Sequence, residues 1–294
     1  MNLPHNIDFN YIFSHCDQSK FEIPHYYDKQ NWELGETYRM RVSNIYDPSK
    51  FWIVVKEQEL DVFQRFLADF YNKYSSRYKM SLNSISENMY CTAFTENAFY
   101  RGLIVSIPHS LTLDKKVIVF LFDFGYTCMV NLEDIYYLSE KFYEVPRFAV
   151  RASLSDLQPH SEHVWNYEVV KRFDELVSKK VLICVVECTD PSRRIVFIKV
   201  GSVKDELSDV VDIGITLISE KLARSTSSKK STTKIKNNSR YIPTTNYPHL
   251  FPSFEAIEGG IVPSSVYISE MLRQCVARDV LFKPYFAYKG TSEK

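Results

Sequence analysis

Glycine is scarce, with eight in 294 residues. Loops that cradle phosphates need clustered glycine, and neither a P-loop nor a dinucleotide-binding Gly-x-Gly-x-x-Gly segment is present. Gly-x-Ser-x-Gly and His-Glu-x-x-His are missing too, so no enzyme signature survives and no catalysis is expected. Net charge is also lacking: 36 basic side chains balance 36 acidic ones. Bulk attraction to nucleic acid or membrane is thereby excluded, and any such attraction must be local. No apolar run approaches the ~20 residues that span a bilayer. The opening MNLPHNIDFN lacks the basic-then-apolar run of a signal peptide. The six cysteines include no Cys-x-x-Cys pair. They are read as free thiols in a reducing, cytoplasmic compartment. Cys184 and Cys188 would share one face of a strand, as core thiols and not zinc ligands. His160 and His163 are read as a surface turn beside Pro159. No metal, cofactor or small-molecule substrate is expected.

What the chain does have is aromatic and β-branched sequence, with 20 Tyr and 20 Phe. ETYRMRVSNIY and FWIVVK read as strands around the turn DPSK, in which Pro48 fixes φ and Asp47 bonds the local backbone. Leu60, Phe63, Phe66, Leu67, Phe70 and Tyr74 fall at helical spacing, predicting an amphipathic helix of about four turns. Short strands follow at MYCTAF, FYRGLIV, KVIVFLF and TCMV, the pattern of a small barrel. VIVFLF is apolar throughout and is expected to be buried on both sides. LEDIYYL reads as at most one turn of helix. In a third block AVRASL is a strand, and Val169, Val170, Phe173, Leu176 and Val177 mark a second helix. VLICVVEC and RIVFIKV flank the turn TDPSR. Val210 to Ala223 add a last strand and helix.

Both ends differ in character. Residues 1–32 show no period and are read as an extension that drapes on the domain or stays mobile. Residues 224–294 are read as a basic, largely disordered tail, because STSSKKSTTKIKNNSR cannot bury enough surface to offset its chain entropy. A short helix at 265–278 is read within it. Lys229, Lys230, Lys234, Lys236 and Arg240 are read first as a solvated linker. Weak, sequence-independent contact with RNA phosphates and nuclear import are the alternatives.

The middle block resembles a Tudor domain of the germline type. The resemblance rests on Phe94, the turn TENA, FYRG at 99–102, the strand VIVFLF, the turn DFG at 123–125, Leu132 to Leu138, Phe142 and Pro146. VSNIYDPSKFWI before it and PRFAVRASLSDLQP after it resemble the two halves of a staphylococcal-nuclease-like (OB-type) subdomain. The resemblance therefore implies a mainly β fold with some α, an extended Tudor domain over 33–223. Its small barrel would span about 86–140, inserted in OB-type halves at about 33–80 and 146–223.

In that family an aromatic cage in the barrel recognises symmetrically dimethylated arginine on tails of PIWI-type Argonautes. Flat rings suit a methylated guanidinium, which keeps its charge but loses donors. By position, Phe94, Tyr100 and Phe124 match three cage walls. Leu121 stands where a third ring is usual, and Tyr126 where a polar asparagine is usual. Losing a ring costs ~0.5–2 kcal/mol; losing the amide bond costs ~0.5–1.5 kcal/mol. The Tyr126 ring and hydroxyl offer compensation. Arg101 and Asp123 match charged positions that pair to brace the barrel.

The resemblance implies a non-enzymatic adaptor in piRNA-mediated silencing, in cytoplasmic, perinuclear germline granules. The cleft between barrel and OB-type half would take an arginine-rich tail. Two alternatives stay open. One is a scaffold whose degenerate cage reads nothing and which binds protein by other surfaces. The other is a single-stranded RNA-binding OB-type module with a basic tail.

Overall fold

Pro48 turns the chain between β1 (Thr37–Asp47) and β2 (Lys50–Val54). Asp47 Oδ1 accepts from the Ser49 amide at 2.7 Å, and its other oxygen meets Lys50 Nζ at 2.7 Å. Both charges are buried at the hairpin tip, so each satisfies the other where water cannot. The computed structural model describes residues 22–107, 116–160, 164–178, 180–202, 211–226 and 252–260. The expected helix at 265–278 and all five cationic tail residues from Lys229 to Arg240 lie outside the described residues.

β1 and β2 open a closed OB-type sheet. It is completed by β8 (Val150–Leu154), β10 (Leu182–Asp190) and β11 (Ile195–Ser202), ordered β10-β1-β2-β8-β11 and closed by β10 against β11; Val211–Asp212 adds a short strand beside β11, and β9 (Leu157–Pro159) lies outside this sheet. Its interior is packed by alternate strand residues, and Phe51 meets Phe173 edge-on at 5.2 Å. Phe173 belongs to the helix Tyr167–Val177, which buries Val169, Val170, Phe173 and Val177. Asn166 caps that helix by accepting from the Val169 amide.

Because β2 and β8 are antiparallel neighbours, everything between them is an insertion whose ends meet. The insertion begins with the helix Glu57–Tyr78 and continues as a five-stranded sheet. Its strands are β3 (Tyr90–Thr95), β4 (Ala98–Ser106), β5 (Lys116–Leu121), β6 (Tyr126–Asn131) and β7 (Ile135–Tyr137), in the order β6-β5-β4-β3-β7. The fold is thus mainly β, a small Tudor-type barrel set into an OB-type one. β5 is buried from Val117 to Leu121, as its unbroken apolar run requires.

Four details depart from the pattern in the sequence. The insertion helix has 22 residues, longer than its apolar spacing suggests. Phe66 on it is 55% exposed, whereas Tyr71 is fully buried. The Tyr71 hydroxyl donates to Tyr137 O at 2.7 Å and accepts from the Ser139 amide at 3.0 Å, so a polar tip is satisfied inside the core. LEDIYYL holds one 3-10 turn and then a strand, because Ile135–Tyr137 finds an edge on β3. Cys184 and Cys188 do not share a face: a register shift between Val186 and Cys188 leaves Cys184 buried and Cys188 exposed.

One ion pair joins these parts. Arg101 on β4 is fully buried against fully buried Asp123. Its Nε and Nη2 donate to the two carboxylate oxygens at 2.9 and 2.7 Å. Nη1 donates to Phe142 O and Val145 O at 2.7 Å each, and Nη2 to Pro146 O at 2.9 Å. The guanidinium lies 4.4 Å from the Phe63 ring on the insertion helix. Asp123→Asn leaves Arg101 without its counter-ion, so urea unfolding is expected to show a loss of ~3–5 kcal/mol.

Gly125 holds the second junction. Its φ is +72°, and a Cβ there would lie 2.0 Å from Trp52 Cγ. Gly125→Ala combines a left-handed backbone with that overlap and is expected to cost ~2–4 kcal/mol by the same measurement.

Candidate functional site

Two tight turns shape one end of the small barrel. Between β3 and β4, Glu96 and Asn97 both take positive φ, the geometry of a two-residue hairpin. Between β5 and β6, the amides of Phe124 and Gly125 both donate to Leu121 O at 3.0 Å. The antiparallel β4–β5 register puts these turns at the same end.

Four partly buried aromatic residues stand at that end of the chain's strands. Tyr100 on β4 meets Phe124 edge-on, with centroids 5.4 Å apart and planes at 84°. Tyr126 opens β6 and pairs across the ladder with Leu121. Phe94, at the end of β3, tilts against Phe99 at 4.8 Å. Phe94 therefore leans toward the helix side of the barrel, while Tyr100 and Tyr126 pack over the barrel interior. Leu121 is 3% exposed and belongs to that interior cluster. It underlies the rings and supplies no open wall.

Arg101 and Asp123 stand one residue from Tyr100 and Phe124 and point into the junction instead. Neighbouring residues on a strand face opposite ways, so β4 presents Tyr100 to the barrel end and Arg101 to the brace. Asp123 Oδ1 also accepts from the Phe148 amide at 3.2 Å. Asn44 Nδ2 on β1 donates to Gly125 O at 2.7 Å. The turn that carries Phe124 is thus fixed from the barrel, from the linker after it and from the OB-type sheet.

A second cluster lies between the two β units, where the sequence reading places an arginine-rich tail. The cleft there is lined by residues that include His25, Trp52, Arg147, Arg151, Arg194 and Glu258. The part of the N-terminal segment that is described helps to build it. Ile23 is fully buried, and Arg147 exchanges backbone hydrogen bonds with Pro24 and Tyr26. Burial, and then the charges of Arg147, Arg194 and Arg151, push the His25 imidazole down to about 3. Glu22 lies 3.5 Å away but is largely exposed and does not offset them. Arg151 is paired with Glu255 and Glu258, and Arg194 with Asp28 and Glu22, so acidic side chains offset most of the arginine charge around the cleft.

His25 also makes stability depend on pH. Between about pH 3 and 6.5 the unfolded chain binds a proton at His25 that the folded chain does not. Stability therefore falls as pH falls through that window, by up to ~1.4 kcal/mol per unit. Urea unfolding at pH 7 and pH 5 is expected to show this loss in the native chain and a smaller one in His25→Asn.

The Tudor domain family model matches residues 33–156. Human Tudor domain-containing protein 6 is 28% identical over 173 residues, which is 55% of this chain and 8% of that protein. The chain thus matches a small part of this long relative. Among solved structures, the third extended Tudor domain of mouse TDRD1, bound to a MILI peptide containing dimethylarginine, aligns over 69% of this chain and 98% of its own. Its TM-score is 0.58 at 21% identity. The Drosophila melanogaster Papi extended Tudor domain, in complex with an unmethylated Piwi N-terminal peptide, covers 65% of this chain and 99% of its own. It has a TM-score of 0.58 at 16% identity. By family model and by fold, this chain carries an extended Tudor domain, with its small barrel inserted into an OB-type sheet.

Proposed function

We propose that the chain is a non-enzymatic adaptor whose barrel end receives an arginine side chain from the tail of another protein. The observation that carries this reading is the edge-to-face pair of Tyr100 and Phe124 at a barrel end that also carries the partly buried Tyr126 and Phe94. Partly exposed ring faces attract a guanidinium through their quadrupole, and they cover methyl groups without asking for hydrogen bonds. Tyr126 brings both a ring and a hydroxyl where a rim amide would stand. Leu121 contributes packing below the rings, so the cage holds fewer walls than a full aromatic box. Methylation therefore changes affinity less here than in a complete cage.

The likeness to extended Tudor domains bound to MILI and Piwi peptides supports PIWI-type Argonautes as the partner class. The setting that follows is piRNA-mediated silencing in cytoplasmic, perinuclear germline granules.

One observation favours a second reading. Leu121 is sunk in the barrel interior and offers no ring face to a ligand. A scaffold that reads no arginine would look the same there.

Titration of the full chain with one Arg-Gly peptide separates the two. The peptide is used unmodified, symmetrically dimethylated, and with lysine in place of arginine. The adaptor reading expects both arginine forms to bind more tightly than the lysine form. It also expects Tyr100→Ala to weaken binding ~5–30-fold, the equivalent of ~1–2 kcal/mol. Equal or absent binding of all three peptides favours the scaffold.

A further inference from the structure

Residues 252–260 lie on a surface built by both β units. Ser253 caps a single helical turn, Phe254–Glu258, by accepting from the Ala256 amide, and Gly259 and Gly260 end it. Phe254 is 4% exposed and meets the Trp52 ring edge-on at 5.1 Å. Ile257 is fully buried, and its carbonyl accepts from Thr127 Oγ1 on β6 at 3.3 Å. Arg151 on β8 grips Glu258 with two parallel bonds of 2.8 and 2.6 Å and reaches Glu255 with Nη1. Trp52 Nε1 donates to Glu258 Oε1 at 3.1 Å.

These are the contacts of a peptide ligand: an aromatic anchor on an indole, and a carboxylate held by an arginine fork. A five-residue helix cannot hold itself, so its order comes from this surface. Glu258 lines the same cleft as Arg147, Arg151 and Arg194. Arg147 Nε is buried there without a hydrogen-bond partner. If the segment leaves, Arg151 loses both of its carboxylates. A surface with that charge selects an acidic replacement and repels a basic one.

We propose that this surface is a binding site for short acidic segments with the spacing Phe-Glu-x-x-Glu. Residues 253–260 occupy it in cis, and a partner protein carrying the same spacing takes it in trans. The site uses none of the four barrel-end rings, and Trp52 packs both on it and on the turn that carries Phe124. Occupancy in cis follows from tethering: at an effective concentration of roughly 1 mM, an intrinsic Kd of ~10 µM leaves ~1% of the sites open. A trans segment of equal affinity is then weakened ~100-fold until the tethered one is released.

The test uses a fluorescent peptide of residues 250–261 and the full chain. The release variant carries Phe254→Ala and Glu258→Arg. The peptide is expected to bind this variant at least 10-fold more tightly than the native chain. Adding Arg151→Glu should abolish that binding. Equal affinity for the native and release chains would overturn the proposal, and so would no binding to a folded release variant. Hydrogen exchange on the native chain keeps the test open if the variant fails to fold. The amides of Ala256 and Ile257 should exchange at least 100-fold faster than those of Val196 and Ile198 on β11. Equal protection would make the segment an integral part of the core and end the proposal.

Discussion

The buried pair of Arg101 and Asp123 is the constraint on which the rest of the molecule depends. Every donor direction of the guanidinium is committed, to the carboxylate on one side and to three carbonyls of the 142–146 segment on the other. A buried ion pair contributes little net stability once desolvation is counted. Its value lies in geometry, because each bond has one direction and any shift leaves a charge unpaired. The pair therefore fixes strand β4, the turn after β5 and the chain's exit from the barrel in one arrangement. The insertion helix joins them by laying Phe63 on the guanidinium.

That brace positions the rings without touching a ligand. Tyr100 is the strand neighbour of Arg101, and Phe124 is the turn neighbour of Asp123, so holding the charges holds the rings. The OB-type sheet adds a second hold through Asn44 on Gly125 and through the close approach of Trp52. The turn that carries Phe124 is thereby clamped from the second sheet as well as from within the barrel. Trp52 then serves two surfaces, packing on the Asp-Phe-Gly turn and on Phe254.

Local pattern made much of this legible. The hairpin around Pro48, the continuous apolar strand before Asp123 and the stripe ending at Val177 all follow from propensity and period. The order of FYRG, VIVFLF and DFG pointed to the Tudor fold that the structure has. What was not legible depends on partners distant in sequence. Tyr71 is a core residue only because Tyr137 and Ser139 satisfy its hydroxyl. Ile135–Tyr137 becomes a strand only because β3 has a free edge, and the Cys188 side chain is turned out by a bulge. The arginine-lined cleft draws on residues from 25 to 258. The short helix at 254–258 did carry signals, a serine cap before it and two glycines after it, but they stand beyond a serine- and lysine-rich stretch that masks them.

The account places arginine at the barrel end and acidic segments at the Trp52–Arg151 surface. Backbone amide chemical shifts of the full chain, recorded while an Arg-Gly peptide with symmetrically dimethylated arginine is added, test this most directly. The account predicts shifts concentrated at Phe94, Tyr100, Phe124 and Tyr126, with Arg151 and Glu258 unmoved. Shifts concentrated at Trp52, Arg151 and Glu258, with the four barrel residues silent, would contradict it.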